Sequence, residues 1–343
     1  MSDVIAFGDR RIGPDEPVFI IGEIGLNHNG DLKLAEEMVR AAAECGVDAV
    51  KFQTFKTDLF LSKSFPGFEE RKDLEFKYEW HLPLQQVANE LGVEFISTPL
   101  DADSVDFLDE LGVPGFKVAS MDLNNYPFLE YIAKKGKPML LSTGFSNMGE
   151  VEKAVNVITS AGNDKLILLH CVSVYPVDPG ETNLRAIQTM KKAFGLNVGF
   201  SDHTKDSPVA PIVATALGAR VWEKHFTTDR ELPGYDHHMS ETPGSFQQSI
   251  NNVRSTERAL GTGVKRPHEL ELERLSNARR SLYWKDSYAS GTKITEDMLL
   301  MVRPARGMSP EDASKVLGRT LRTSVESDAL VEMQHVEWSD SRA

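Results

Sequence analysis

Long apolar runs are missing from this chain. Nothing in its 343 residues approaches the roughly 18 consecutive apolar positions of a membrane span, and the longest stretches, such as Leu166 to Leu169, are strand-sized. The opening MSDVIAFGDRRIG has no extended apolar core, so no secretion signal is expected. Cysteine is scarce as well. Cys45 and Cys171 are too few for a disulfide framework, and two reduced thiols in a cytoplasmic protein are expected. Positive charge is in deficit: 38 Lys and Arg against 51 Asp and Glu leave a formal net charge of −13. That balance argues against nucleic acid or an anionic membrane as a partner. An acidic chain that binds an anionic substrate must then gather its cations in one pocket. Also absent is a glycine-rich G-x-G-x-x-G loop; the turn after the first apolar run reads Asn27-His28-Asn29-Gly30. Its absence weighs against a doubly wound dinucleotide-binding sheet.

What is present is a rhythm. From Val18 onward, short apolar runs ending in polar residues alternate with segments of helical period. The runs are VFIIGEIG from Val18, AVKFQT from Ala49, VEFISTP from Val93 and GFKVAS from Gly115. PMLLSTG from Pro138, KLILLHC from Lys165, NVGFSDH from Asn197 and RVWEKHF from Arg220 follow. Between them lie helical spacings such as Ala35, Met38, Val39, Ala42 and Val151, Ala154, Val155, Ile158. Asn147 with Glu150 reads as an N-cap pair opening the second of these. Eight strand–helix units predict an α/β fold, a closed (β/α)₈ TIM barrel over residues 1–262. Residues 263–280 have little apolar content and mixed charge and read as a linker arm on a surface. Residues 281–343 change character again and predict a small, mostly β second domain.

In such barrels reactive groups collect at the C-terminal strand ends, where all the βα loops open. Those ends are unusually polar here. They offer Glu23, Asn27 and His28; Lys51, Gln53 and Thr54; Ser97 and Thr98; and Lys117 and Ser120. Ser142 and Thr143, then His170, Ser173 and Tyr175, continue the series. Ser201, Asp202 and His203, and finally Glu223, Lys224 and His225, complete it. Such density on buried strand ends is costly unless something binds there. Residues two apart share a face, so Lys51 pairs with Gln53, Ser201 with His203 and Glu223 with His225. His203 and His225, at matching ends of neighbouring strands, suit a borderline divalent ion, although each could instead be a satisfied structural histidine. Lys51 and Lys117 with Thr98, Ser120 and Ser142 form a plausible clamp for phosphate and carboxylate; a Schiff-base lysine is the competing reading. Glu23 is a candidate acid or base, or else an ion-pair partner for one of those lysines. His237, His238 and His335 fall in polar stretches and read as solvated. Cys171 lies near the pocket without an evident base beside it.

The segments EIGLNHNG, VKFQTFKTD, FISTPLDADSVDFL, LLSTGFSNMGEVEKAV, LLHCVSVYP, GFSDHT and VWEKHFT resemble those of the sialic acid synthases, the nonulosonate synthases. RRSLYWKDSYASGTKITEDMLLMVRPARG resembles the C-terminal antifreeze-like (SAF) module of the same family, so the likeness covers nearly the whole chain. The resemblance implies a TIM barrel plus SAF domain in a domain-swapped homodimer. It implies a transferase that joins phosphoenolpyruvate to an N-acetylmannosamine-type amino sugar, giving a nine-carbon keto acid and phosphate. By the same resemblance His203 and His225 hold Mn²⁺ or a similar ion (Mg²⁺, Co²⁺), and Glu23 and Asp236, in LPGYDHHMS, contact the sugar or move protons. Glu223 counts with these catalytic carboxylates. Lys51, Thr98, Lys117, Ser120, Ser142 and Tyr175 match positions lining the phosphoenolpyruvate site, and Gln53, which shares a face with Lys51, counts as substrate-binding beside them. Arg303 matches the SAF arginine that reaches the partner's site and holds the N-acetyl group. Ser173 and Met121-Asp122 depart from the wording usual in the family, as does LPGYDHHMS itself. N-acetylneuraminate, legionaminate and pseudaminate types of product all stay open. So do a related barrel acting on a phosphorylated aldose and a non-catalytic sugar-binding barrel.

Overall fold

The computed structural model describes residues 4–338, in two compact units, one ending at Thr262 and the other beginning at Gly263. The first opens with a hairpin, β1 (Ile5–Phe7) and β2 (Arg10–Ile12), joined through Gly8-Asp9. Gly8 has φ of 62°, and a Cβ there would collide with the Glu94 carboxylate, which accepts a hydrogen bond from the Asp9 N–H at 2.7 Å. The positive φ of the turn is what favours glycine here.

Eight parallel strands then close into a barrel: β3 (Phe19–Gly25), β4 (Ala49–Thr54), β5 (Glu94–Pro99), β6 (Phe116–Val118), β7 (Met139–Ser142), β8 (Leu166–Cys171), β9 (Asn197–Asp202) and β10 (Val221–His225). Closure is between β10 and β3, with Val221 opposite Phe19 and His225 opposite Glu23. The expected TIM barrel is thus present, and each predicted apolar run carries its strand. Helices such as Leu32–Glu44 and Met148–Ser160 bury the predicted stripes, and Asn147 and Glu150 form a reciprocal capping box. The largest apolar cluster lies between the strands' outer faces and these helices.

Inside the barrel, one parity of side chains does two jobs. Phe19, Ile21, Ala49, Ile96, Leu140, Ile167, Leu169 and Val221 form an apolar plug together with Ile5, Phe7 and Ile12 of the hairpin. Further along the same strands the same parity presents Glu23, Lys51, Gln53, Thr98, Ser142, Ser201 and Glu223. Gly199 makes room in the plug: a Cβ there would overlap Leu169 and Val221.

The second unit holds β11 (Ser281–Trp284) and β12 (Leu299–Val302), an antiparallel pair over a small core of Leu282, Trp284, Ile294, Val316, Leu321 and Val331. The stretch read as a linker, 263–280, contains two short helical turns, Glu269–Leu272 and Leu275–Ala278, with exposed side chains. It is tied to its own unit by Ala305 N–H donating to the Ser276 carbonyl at 2.6 Å. The last residues of the expected second domain, 339–343, lie outside the described residues. Among those described, no helix is long and apolar enough to cross a membrane.

Candidate active site

At the C-terminal end of the barrel opens a recess of about 750 Å³. Glu23, Lys51, Gln53, Thr98, Lys117, Ser120, Ser142, Tyr175, His203, Glu223, His225 and Asp236 all line it, together with Ser201 and Cys171. Arg303 belongs to the second unit, where its Nε donates to the Ala278 carbonyl at 2.6 Å.

The floor is a buried quartet of two lysines and two glutamates. Lys51 Nζ lies 2.8 Å from Glu23 Oε2 and 3.8 Å from Glu223 Oε2, and it donates to Thr98 Oγ1 at 3.1 Å. Lys117 Nζ lies 3.9 Å from Glu223 Oε1, while Ser201 Oγ donates to that same oxygen at 3.1 Å. Both readings of Glu23 are therefore compatible with its place: it is an ion-pair partner of Lys51 that also faces the recess.

Environment separates these groups. Burial pushes the Glu23 carboxyl above its usual range, against the pull of Lys51. Burial acts on Glu223 in the same direction, but Lys117 and Lys51 outweigh it and hold that carboxyl down. Lys51 loses to burial and gains more from Glu223 and Glu23, so it stays raised. Lys117 is lowered, chiefly by burial. A raised Lys51 and a raised Glu23 both favour keeping a proton. With Glu223 also facing it, the lysine keeps its charge, and Glu23 is the carboxyl that takes up a proton first. Two carboxylates pushed apart in this way divide the labour of proton acceptor and fixed anion.

Beside the quartet stand hydroxyls suited to an anion. Ser120 Oγ accepts from Gly144 N–H at 3.0 Å, and Ser142 Oγ is buried without a hydrogen-bond partner. Gly144 has to be glycine, since a Cβ would run into Ser173 Oγ, Cys171 Sγ and Ser120 Oγ. Cys171 Sγ sits 3.2 Å from Ser120 Oγ and 3.5 Å from Ser173 Oγ.

The two histidines meet as their strand ends require, with ring centres 5.6 Å apart; Tyr175 lies 4.2 Å from His203. Burial holds His203 neutral down to about 4 and pulls His225 well below its ordinary value. His203 Nδ1–H donates to the Val172 carbonyl at 2.9 Å, which leaves Nε2 as a lone-pair donor. His225 Nδ1 is buried without a hydrogen-bond partner, 3.8 Å from Asp236 Oδ2. Neutral, partly orphaned imidazoles fit a borderline divalent ion. Among the described residues no group of three His, Cys, Asp or Glu converges as a metal site, so such an ion would draw its remaining ligands from substrate and water.

Several expected pocket residues turn away from it. Asn27 donates to the Phe226 carbonyl and to Ser240 Oγ, and His28 is fully buried against Phe52, Phe76 and Trp80. Thr54 Oγ1 bonds His81 and Ser97, Thr143 bonds the Leu169 carbonyl, and His170 bonds the Thr182 carbonyl. Asp202 is taken up by Thr204 and Trp222, with Lys224 3.6 Å away. Their parity on the strands points them at the helix layer, where polar groups must find internal partners. His237, read as solvated, is buried, its Nδ1–H donating to Thr227 Oγ1 at 2.7 Å. His238 is exposed. Sequence reasoning missed Arg71, which lies 4.2 Å over the Tyr235 ring, and the apolar wall of Leu59, Phe60, Leu61 and Phe65. These belong to a segment inserted between β4 and its helix, where no periodicity marks them.

Comparison with known proteins agrees with this architecture. A family model described as the NeuB family matches residues 38–265, and one described as the SAF domain matches residues 279–337. The chain is 39% identical over 348 residues to N,N'-diacetyllegionaminic acid synthase of Legionella pneumophila, covering 96% of this chain and 98% of that one. It is 37% identical to N-acetylneuraminate-9-phosphate synthase of Homo sapiens, covering 93% and 92%. Among solved structures, the N-acetylneuraminic acid (sialic acid) synthetase of Leptospira borgpetersenii, in complex with citrate, superposes with a TM-score of 0.76 at 37% identity. That match covers 80% of this chain and 95% of that one.

Proposed function

The chain belongs to the NeuB family and carries a C-terminal SAF domain; from that membership and the recess geometry we propose that it is a nonulosonic acid synthase. It condenses phosphoenolpyruvate with an N-acetylated amino sugar to a nine-carbon keto acid, releasing phosphate. The observation that carries this reading is the recess floor, where two buried lysines, two carboxylates of opposite tendency and a neutral histidine pair meet.

Lys51 and Lys117, with Thr98, Ser120 and Ser142, bind the carboxylate and phosphate of phosphoenolpyruvate, the Gly144 N–H holding Ser120 Oγ in place. Glu223 stays charged and keeps both lysines in place. His203 and His225 would hold a divalent ion, Mn²⁺ being our choice and Mg²⁺ or Co²⁺ the alternatives. When bound, that ion supplies Lewis acidity at the sugar's carbonyl oxygen. Carbon three of phosphoenolpyruvate attacks the aldehyde carbon of the open-chain sugar, and positive charge develops at carbon two. Asp236, beside His225 and raised by burial, hands a proton to the former aldehyde oxygen. Glu23 accepts the proton of the water that adds at carbon two, Gln53 Nε2 steadying it by donating to Glu23 Oε1 at 3.1 Å. Phosphate then leaves with cleavage of its C–O bond and takes up the proton of the carbon-two hydroxyl, whose oxygen becomes that of the keto group. Arg303 of a partner subunit in a domain-swapped homodimer completes the sugar site, and the enzyme works in the cytoplasm.

Phosphate release tests this directly, with Mn²⁺, phosphoenolpyruvate and a panel of N-acetylated amino sugars plus arabinose 5-phosphate. Release with an amino sugar that a chelator abolishes is expected. Release only with the phosphorylated aldose would overturn the reading. Arg303→Ala should weaken sugar use far more than phosphoenolpyruvate binding, and equal losses for both would remove its assigned role.

A further inference from the structure

The recess has two tiers of different chemistry. Its floor holds Lys51 and Lys117, already matched by Glu23 and Glu223. Above the floor the lining is Leu59, Leu61, Phe65, Met121 and Tyr235, with Arg71, Asp122 and Asp236 as its charged members. Large apolar side chains here face solvent: Leu59 is 55% exposed, Met121 52% and Phe65 47%. Apolar groups gathered around the mouth of a polar site mark a surface that a ligand covers.

Charge in the upper tier runs against an anion. Arg71 is its one cation among the described residues lining the recess, and it is laid on the Tyr235 ring. Asp122 Oδ2 is buried without a hydrogen-bond partner, its other oxygen 3.4 Å from Asn125 Nδ2, and Asp236 lines the recess as well. The floor lysines are needed for phosphoenolpyruvate. Within this subunit a second phosphate, on the sugar, would therefore meet one arginine, two carboxyl groups and an apolar wall, and the arginine that the proposed function brings from the partner subunit is assigned to the N-acetyl group.

From this two-tier lining we infer that the amino sugar is unphosphorylated and has an apolar distal end. Its last carbon is deoxygenated, and its amino groups are acylated. A methyl group and acyl methyls pack against Leu59, Leu61, Phe65 and Met121, where a hydroxymethyl group would lose hydration without gaining a partner. The free oxygen of Asp122 accepts from an amide N–H or a hydroxyl of the same sugar. This inference rests on the synthase reading and narrows it to one substrate class.

The experiment compares kcat/KM for three sugars at saturating phosphoenolpyruvate and Mn²⁺: N-acetylmannosamine, its 6-phosphate, and 2,4-diacetamido-2,4,6-trideoxymannose. The trideoxy sugar should exceed N-acetylmannosamine by about tenfold or more, the usual discrimination of an apolar pocket. The 6-phosphate should be the poorest of the three. A 6-phosphate as good as or better than the others overturns the inference while leaving the synthase reading intact. Inactivity with every amino sugar overturns both. Leu59→Lys places a cation in the wall at an exposed position, so folding is not at risk. It should shift the ratio of trideoxy sugar to 6-phosphate by about tenfold towards the phosphate; an unchanged ratio overturns the wall's role.

Discussion

The two ends of the barrel are built from the same strands and the same side-chain parity, yet they hold opposite chemistry. At the N-terminal end Phe19, Ile21, Leu140, Ile167 and Val221 meet Ile5, Phe7 and Ile12 of the hairpin in a closed apolar plug. Two to four residues further on, the same faces carry Glu23, Lys51, Ser142, Ser201 and Glu223 around an open recess. The plug gains from excluding water, at about 25 cal/mol per Å² of apolar surface. The recess spends stability instead, because ions have been taken out of water, which only a bound ligand or close pairing offsets. One end holds the barrel shut; the other stores the polarity that the reaction uses.

The sharpest way to break this contrast is Lys117→Met. It removes a buried cation that burial already disfavours. Phosphate release should fall by about 10²–10³-fold, the usual loss for one preorganised electrostatic donor. The thermal midpoint should fall as well, because Glu223 loses one of its two lysine partners and is left a less compensated buried charge. Unchanged phosphate release would show that Lys117 balances Glu223 rather than binding the substrate.

Phe7→Ala attacks the other end. Phe7 is fully buried, so truncation should cost about 3–5 kcal/mol in denaturant unfolding. The fraction that remains folded should keep its kcat and KM. A change in KM would mean that the two ends are coupled.

Acid sharpens the contrast further, because the plug contains nothing that titrates. Burial holds His28 and His81 neutral down to about 4 in the folded chain, whereas the unfolded chain protonates them near 6.5. Between those values the unfolded state binds more protons, so stability falls as pH drops from about 6.5 to about 4. Thermal midpoints measured across that range should decline, and the deficit of Phe7→Ala should be the same at each pH. A flat profile would contradict the buried neutral histidines. Smallest is Asn147→Ala, which removes the capping box that opens the helix Met148–Ser160 and should cost about 1 kcal/mol, with kinetics unchanged.

The barrel was legible because each strand ends an apolar run with polar residues, and those runs have strand length. AVKFQT, from Ala49, is β4 to the residue. The hairpin was not legible: three-residue strands carry no period, and only the plug gives Ile5, Phe7 and Ile12 a reason to pair. Within the site, residues that share a face with Glu23 or Lys51 were found from alternation. Asn27, Ser97, Thr143, His170, Asp202 and Lys224 look the same in a list of polar residues, but they bond one another or the backbone behind the strands, while His28 packs among aromatic rings. Polarity alone does not say which side of a strand a residue takes. His237 shows the reverse, a polar stretch whose histidine is buried with its Nδ1 2.7 Å from Thr227 Oγ1, which itself donates to the Asp229 carbonyl. Arg71 and the wall from Leu59 to Phe65 come from an insertion whose place is set by the tertiary fold alone.

The most direct test of the proposed chemistry follows the oxygen that bridges carbon two and phosphorus in phosphoenolpyruvate, labelled with ¹⁸O. With a substrate amino sugar and Mn²⁺, water adds at carbon two, and the label should leave entirely in the released phosphate. Label retained in the nine-carbon acid would mean that the P–O bond breaks instead, and would contradict the roles given to Glu23, Lys51 and Lys117.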